Sequence, residues 1–319
     1  RLTRLDIATL EIGYRCLDFL VDQKPYDVIQ LINEYPIKTP YFIERNIIKR
    51  LRSLTKRVVI LACGDDYISL SYINKLPHHP ILQNPEIEFP YSERYISNDH
   101  KKYHDFVFRQ KDLIISSDLD YHPAYSDVPD YYGLIPNPIQ LEKFEDTLPA
   151  TTGKLVIFHG INEVNYYKKG NNHFEQALLK IKEKFPDRVK IILVSNLPYS
   201  EYLKSYNEAH ILLDQTYAQD QGYNALEAMA QGKVVFTGAG SLFTKHYNLP
   251  LNSVAIHTIP DADKIAADLE NLIWNPELIR EIGKNARKFI EDNHDCKKIA
   301  QQYINAWLSI DKSPLKVAI

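Results

Sequence analysis

Apolar residues in the second half of the chain gather in short continuous runs separated by amphipathic stretches. KLVIFHG at 154–160, VKIILV at 189–194, HILLD at 210–214, KVVFTG at 233–238 and SVAIHTI at 253–259 read as buried strands. Between the first two, Phe174, Ala177, Leu178, Ile181 and Phe185 share one face at helical spacing, with Asn171 or Asn172 as the cap. Further helices are expected over 199–208, after Gly222, over 261–274 and over 276–292. Strands alternating with helices predict an α/β fold with a parallel, doubly wound sheet.

The first half alternates more loosely. Its strand candidates are 27–32, 57–63, 112–117 and 132–136, and 41–54 is a helix with Ile43, Ile47, Leu51 and Leu54 inward. Residues 77–100, rich in Pro, His and Asn, read as a long loop. A Rossmann-like half needs a first strand with its glycine turn. None precedes Asp27, so this half is expected to be incomplete at its N-terminus. Pro136 and Pro138 flank Asn137 and suit a hinge. The expected plan is two Rossmann-like domains facing a cleft, over 1–137 and 138–293, with a terminal segment over 294–319.

A length of 319 residues suits two such cores. The net charge of −3 argues against bulk nucleic-acid binding. Cys16, Cys63 and Cys296 are scattered and form no C-x-x-C pair, which suggests a reducing compartment, hence a cytoplasmic protein. No apolar run reaches transmembrane length.

The chemistry concentrates in GYNALEAMAQGKVVFTGAG, 222–240, where a glycine turn leads into a short helix expected to carry Glu227 in its first turn. Such a carboxylate faces the cleft at the carboxyl ends of parallel strands, where open α/β sheets bind ligands. HG-INEVNYY-KKG at 159–170 places Lys169 and Gly170 just before a helix, whose free amides and dipole favour an anion.

In this order, from about Gly133 to Trp307, these segments resemble the donor half of GT-B glycosyltransferases, especially the retaining group related to glycogen and sucrose synthases. The resemblance implies transfer of a sugar from a nucleotide-diphosphate sugar, metal-independent and without a cofactor, to a carbohydrate or lipid-linked acceptor. By resemblance Lys169 matches the phosphate-binding lysine and Glu227 the glutamate that accepts from ribose hydroxyls. Gln219 to Gly222, with Asp220 and Gln221, form the loop over the sugar, followed by Tyr223 and Asn224. His159, Gly160 and Asn162 border the donor from the first strand, and Asp214 and Gln215 end the strand before the loop. The terminal segment HDCKKIAQQYINAW is similar to the helix that crosses back to the N-terminal domain. Polysaccharide biosynthesis is the setting such a family implies.

Two positions depart from the family's pattern. Its first glutamate is replaced by Gln219, which hydrogen-bonds but carries no charge, and Glu163 stands where an arginine is usual. A degenerate nucleotide- or sugar-binding homologue and a nucleotide-sugar epimerase on the same fold therefore stay open beside the transferase. Asp118-Leu119-Asp120 imitates a metal-binding D-x-D, but no further oxygen ligands can be named. His100 and His104 would share an exposed helix face; as zinc ligands they lack a third partner. Asp65 and Asp66 after Gly64 either serve an acceptor or cap a helix. The basic residues of 45–57 oppose an apolar face, which is core or, alternatively, a peripheral membrane contact.

Overall fold

The computed structural model describes residues 4–144, 153–195 and 199–310. Two compact units emerge: Arg1–Ile73 with Phe89–Pro136 and Ala300–Ile319, and Asn74–Glu88 with Asn137–Ile299. The end of the terminal segment, 311–319, lies outside the described residues.

In the first unit, β1 (Ile29–Ile32), β2 (Val58–Ala62), β3 (Leu113–Ser116) and β4 (Tyr131–Leu134) form a parallel sheet in chain order. A helix the apolar pattern had not revealed, Arg4–Val21, precedes β1. Its Leu10, Leu17 and Leu20 pack on Ile43, Ile47 and Leu54, so the apolar face of the helix Tyr41–Ser53 is core. Two of the basic residues beside that face bind the protein itself, while Lys49 and Lys56 are exposed. Arg50 donates to the carbonyls of Leu20 and Val21, serving the open end of the first helix, and Arg52 pairs with Asp112.

The second unit holds β5 (Leu155–Ile161), β6 (Val189–Ser195), β7 (Ile211–Leu213), β8 (Val234–Thr237) and β9 (Ile256–His257). All pairs are parallel, in the order β6-β5-β7-β8-β9. The strand order reverses between β5 and β7, the arrangement that opens a crevice at the carboxyl edge. Helices Asn171–Lys184 and Ala262–Trp274 bury Phe174, Leu178, Ile181, Ile265, Leu269 and Leu272 against Ile157, Ile211, Val234 and Phe236. Each such side chain contributes about 1.5–3 kcal/mol of burial.

The stretch 77–100 corrects the expected long loop. It contains short helices Pro80–Gln83 and Pro90–Glu93 and the start of Asn98–Phe108. Each of its prolines at 80 and 90 occupies a first helical position, where the missing N–H costs no bond. SVAIHTI also shortens, to Ile256–His257, because β8 offers partners only at Phe236 and Thr237. Val254 and Ala255 are still buried, so the apolar run recorded burial rather than pairing.

Candidate functional site

The carboxyl edge of the second sheet brings three strand ends into register. His159 pairs with Leu213, and Leu213 with Phe236, so Asp214 and Thr237 follow side by side one residue beyond the level of His159. Asp214, 3% exposed, has its carboxylate oriented by Thr237, whose Oγ1 donates to Oδ2 over 3.1 Å. Its other oxygen accepts from Lys169 Nζ at 3.0 Å. The lysine side chain stays 30% exposed. An ammonium has three donors, so this ion pair fixes the cation at the sheet edge and leaves donors for an anion.

Lys169 ends a single helical turn, Tyr166–Lys169, and Gly170 turns the chain with φ of 71°. A Cβ at Gly170 would lie 2.0 Å from Thr216 Oγ1, so glycine is required by both backbone and packing. The Lys169 carbonyl accepts from Thr216 N, tying this turn to the loop after β7. Contrary to the expected asparagine cap, Gly170 itself precedes the helix Asn171–Lys184 and no side chain caps it. Asn171 instead donates back to the Tyr166 carbonyl. The helix Tyr223–Ala230 likewise starts at Gly222 without a side-chain cap. By contrast, Asp261 caps Ala262–Trp274 through two backbone N–H groups. One uncapped helix start thus directly follows Lys169 and another follows the loop 214–222, and such starts attract anions.

The loop 214–222 lies flat on the sheet edge. Gly238 permits this: a Cβ there would meet Ala218 O at 2.4 Å and Asp220 N at 2.6 Å. Gln221 donates to the Gly238 carbonyl and Asp220 accepts from Gln221 N. Gln219, Asp220 and Gln221 are buried, Gln215 and Gly222 are half-buried, and Tyr223 is exposed. Asn224 lends its carbonyl to the Tyr206 hydroxyl.

Glu227 is the fifth residue of its helix, so it sits one turn further in than the sequence placed it. It is half-buried, and burial raises its carboxyl above the usual range against the pull of Lys143. His159 is buried with its ring beside Phe174. Its Nδ1–H donates to the Leu213 carbonyl at 3.2 Å, while Nε2 is buried without a partner. Burial pulls this imidazole down to about 4, so at neutral pH Nε2 is a bare acceptor. Gly160 continues β5, paired with Val194. Asn162 is exposed and accepts from Val164 N, a local turn role. Glu163 accepts from Ser195 Oγ at 2.7 Å.

Sequence reasoning passed over Thr237, Tyr217, His173 and Asn84. Thr237 was within KVVFTG, and its place as the last residue of a strand was the available signal. The other three carry no motif.

In the first unit the sequence candidates resolve structurally. Asp66 caps the helix Tyr67–Tyr72 in a capping box with Ser69, and Asp65 accepts from Ser92 Oγ at 2.5 Å. Asp118 accepts from Ser117 Oγ and Asp120 N. His100 and His104 are buried, not exposed: both hydrogen-bond Glu34, at 2.7 and 2.5 Å. Among the described residues no group of three metal-ligating side chains assembles, and no helix is long and apolar enough to cross a membrane.

Residues 160–305 match a family model described as glycosyl transferase-like. No curated protein matches the chain in sequence. Among solved structures, Anabaena HepE in complex with UDP and glucose superposes with a TM-score of 0.63 at 14% identity, covering 96% of this chain and 83% of that one. Sucrose-phosphate synthase from Thermosynechococcus elongatus gives 0.60 at 14% identity, over 96% and 79%. An S. aureus TarM structure with fondaparinux, alpha-GlcNAc-glycerol and UDP gives 0.59 at 12%; the chain covers 58% of its length. The two parallel sheets and these superpositions give the chain the fold of the GT-B glycosyltransferases, and residues 160–305 resemble the glycosyl transferase-like family.

Proposed function

We propose that the protein transfers a sugar from a nucleotide-diphosphate sugar to a carbohydrate or lipid-linked acceptor, in the cytoplasm, with retention and without a metal. The observation that carries this reading is the Lys169–Asp214 pair at the sheet edge, accompanied by two helix starts without side-chain caps. In this reading the C–O bond between sugar and diphosphate breaks and negative charge collects on the leaving oxygen. Lys169 and the positive ends of the two helices stabilise that charge. The acceptor oxygen attacks the anomeric carbon on the same face and passes its proton to the departing phosphate. Glu227 accepts from the ribose hydroxyls, where a carboxylate is the suitable acceptor. Residues 219–222 cover the sugar. HepE and TarM were solved with UDP, which supports a uridine donor as the first to test.

Calorimetric titration with UDP tests the site. Lys169→Ala is expected to weaken UDP about 10- to 100-fold, the range of a lost charge-assisted hydrogen bond. Glu227→Ala should weaken uridine as well as UDP, while Lys169→Ala should leave uridine unaffected. Unchanged affinities in both variants overturn the assignment. A second reading, a nucleotide-binding partner without turnover, is favoured by the uncharged Gln219. Tight UDP binding with no release of UDP from any UDP-sugar and acceptor tested would establish it.

A further inference from the structure

The donor loop is held from outside by a segment that the chain order would not place there. Residues Asn74–Glu88 lie in sequence between stretches of the first unit, yet they pack as part of the second. Within them the short helix Pro80–Gln83 packs against Tyr166–Lys169, the turn that presents Lys169. Asn84, which ends that helix, is 7% exposed. Its Nδ2 donates both to the Pro80 carbonyl at 2.9 Å and to the Tyr217 hydroxyl at 3.2 Å.

Tyr217 is the pivot. It belongs to the loop after β7 and is 6% exposed. Its ring lies against Gly170, whose added Cβ would come 3.1 Å from Cε2. The hydroxyl is also 3.3 Å from His173 Nε2, in the first turn of the helix after Gly170. Burial raises the Tyr217 hydroxyl and lowers the His173 imidazole, so one keeps its proton and the other stays neutral. Polarity then runs one way: Asn84 N–H donates to the tyrosine oxygen, whose O–H donates to His173. Neighbouring Thr216 is bonded to the Lys169 carbonyl.

We infer that Asn84, Tyr217 and His173 are positioning residues that latch the loop 214–222 onto the Lys169 turn before any nucleotide arrives. This rests on the donor-site reading above for its consequence, namely higher affinity through lower ordering cost on binding. The latch itself is a property of the free protein.

Amide hydrogen exchange of the ligand-free protein and UDP titration test the two parts separately. Asn84→Ala and Tyr217→Phe should each speed exchange in 214–222 and weaken UDP about five- to tenfold, the effect of one buried hydrogen bond. The double variant should lose less than the product of the two single effects, because both substitutions remove the shared Asn84–Tyr217 bond. Tyr103→Phe, which removes a buried hydroxyl donating to Glu34 O in the first unit, should leave UDP affinity unchanged. Unaltered exchange in 214–222 in both latch variants overturns the inference. An equal loss of affinity in Tyr103→Phe does so as well, since the effect would then be general destabilisation. Faster exchange together with no nucleotide binding by the unmodified protein overturns the donor-site reading and keeps the latch.

Discussion

His159 and His294 are both buried in the second unit, each donating through Nδ1 to a carbonyl and each with an unpartnered Nε2. Burial pulls both from 6.5 to about 4. The folded state therefore binds fewer protons than the unfolded chain between those values. Stability from the neutral rings is complete above pH 6.5 and is lost as pH falls towards 4. The loss should be on the order of 3 kcal/mol per histidine. Urea unfolding across this range checks it: His294→Asn keeps a donor for the Asn137 carbonyl and should flatten the slope, and an unchanged slope excludes His294 as its source. Glu34 behaves oppositely. Burial pushes it up, but hydrogen bonds from His100 and His104 outweigh that and hold it at about 2. The spacing of those histidines put them on one helix face, yet it could not say whether the face was wet. Glu34, delivered from the end of β1, supplies the acceptor that lets them be buried.

The loop between β7 and the helix Tyr223–Ala230 depends on flat contact with β8. Gly238→Ala would drive a methyl into Ala218 and Asp220, whose contacting atoms are backbone and cannot swing aside. Melting temperature should fall, by the equivalent of about 1–3 kcal/mol, and UDP affinity with it. A variant that binds UDP normally would show that the loop can lift without consequence. At this scale periodicity located the helices well, because the apolar face of a helix is encoded every three to four residues. It served less well where prolines began helices in 77–100, since the same residue also marks loops. The helix Arg4–Val21 escaped notice although its leucines and cysteine pack on Tyr41–Ser53. Glu227 shifted by a turn for a similar reason: the glycine turn was evident, but the first helical residue is set by backbone geometry.

As a whole molecule, a protein that binds a nucleotide only when folded is stabilised by mass action. UDP at about 100 times its Kd should add roughly 2.7 kcal/mol, read as a rise in melting temperature that Lys169→Ala cuts to the equivalent of about 0.4–1.4 kcal/mol at the same concentration. Product analysis by NMR of the anomeric proton would check retention, an inverted configuration refuting it. Chelation of divalent ions should leave turnover intact. The fold class and the position of the Lys169–Gly170 turn were determined by the sequence itself. Buried parallel strands read as unbroken apolar runs, and glycine at φ of 71° has few substitutes. The pairing of Lys169 with Asp214, the orphaned Nε2 of His159 and the grip of Asn84 on Tyr217 were decided only by tertiary structure. Each joins residues from separate elements, and a hydrogen bond between distant segments leaves no periodic trace in the chain that makes it.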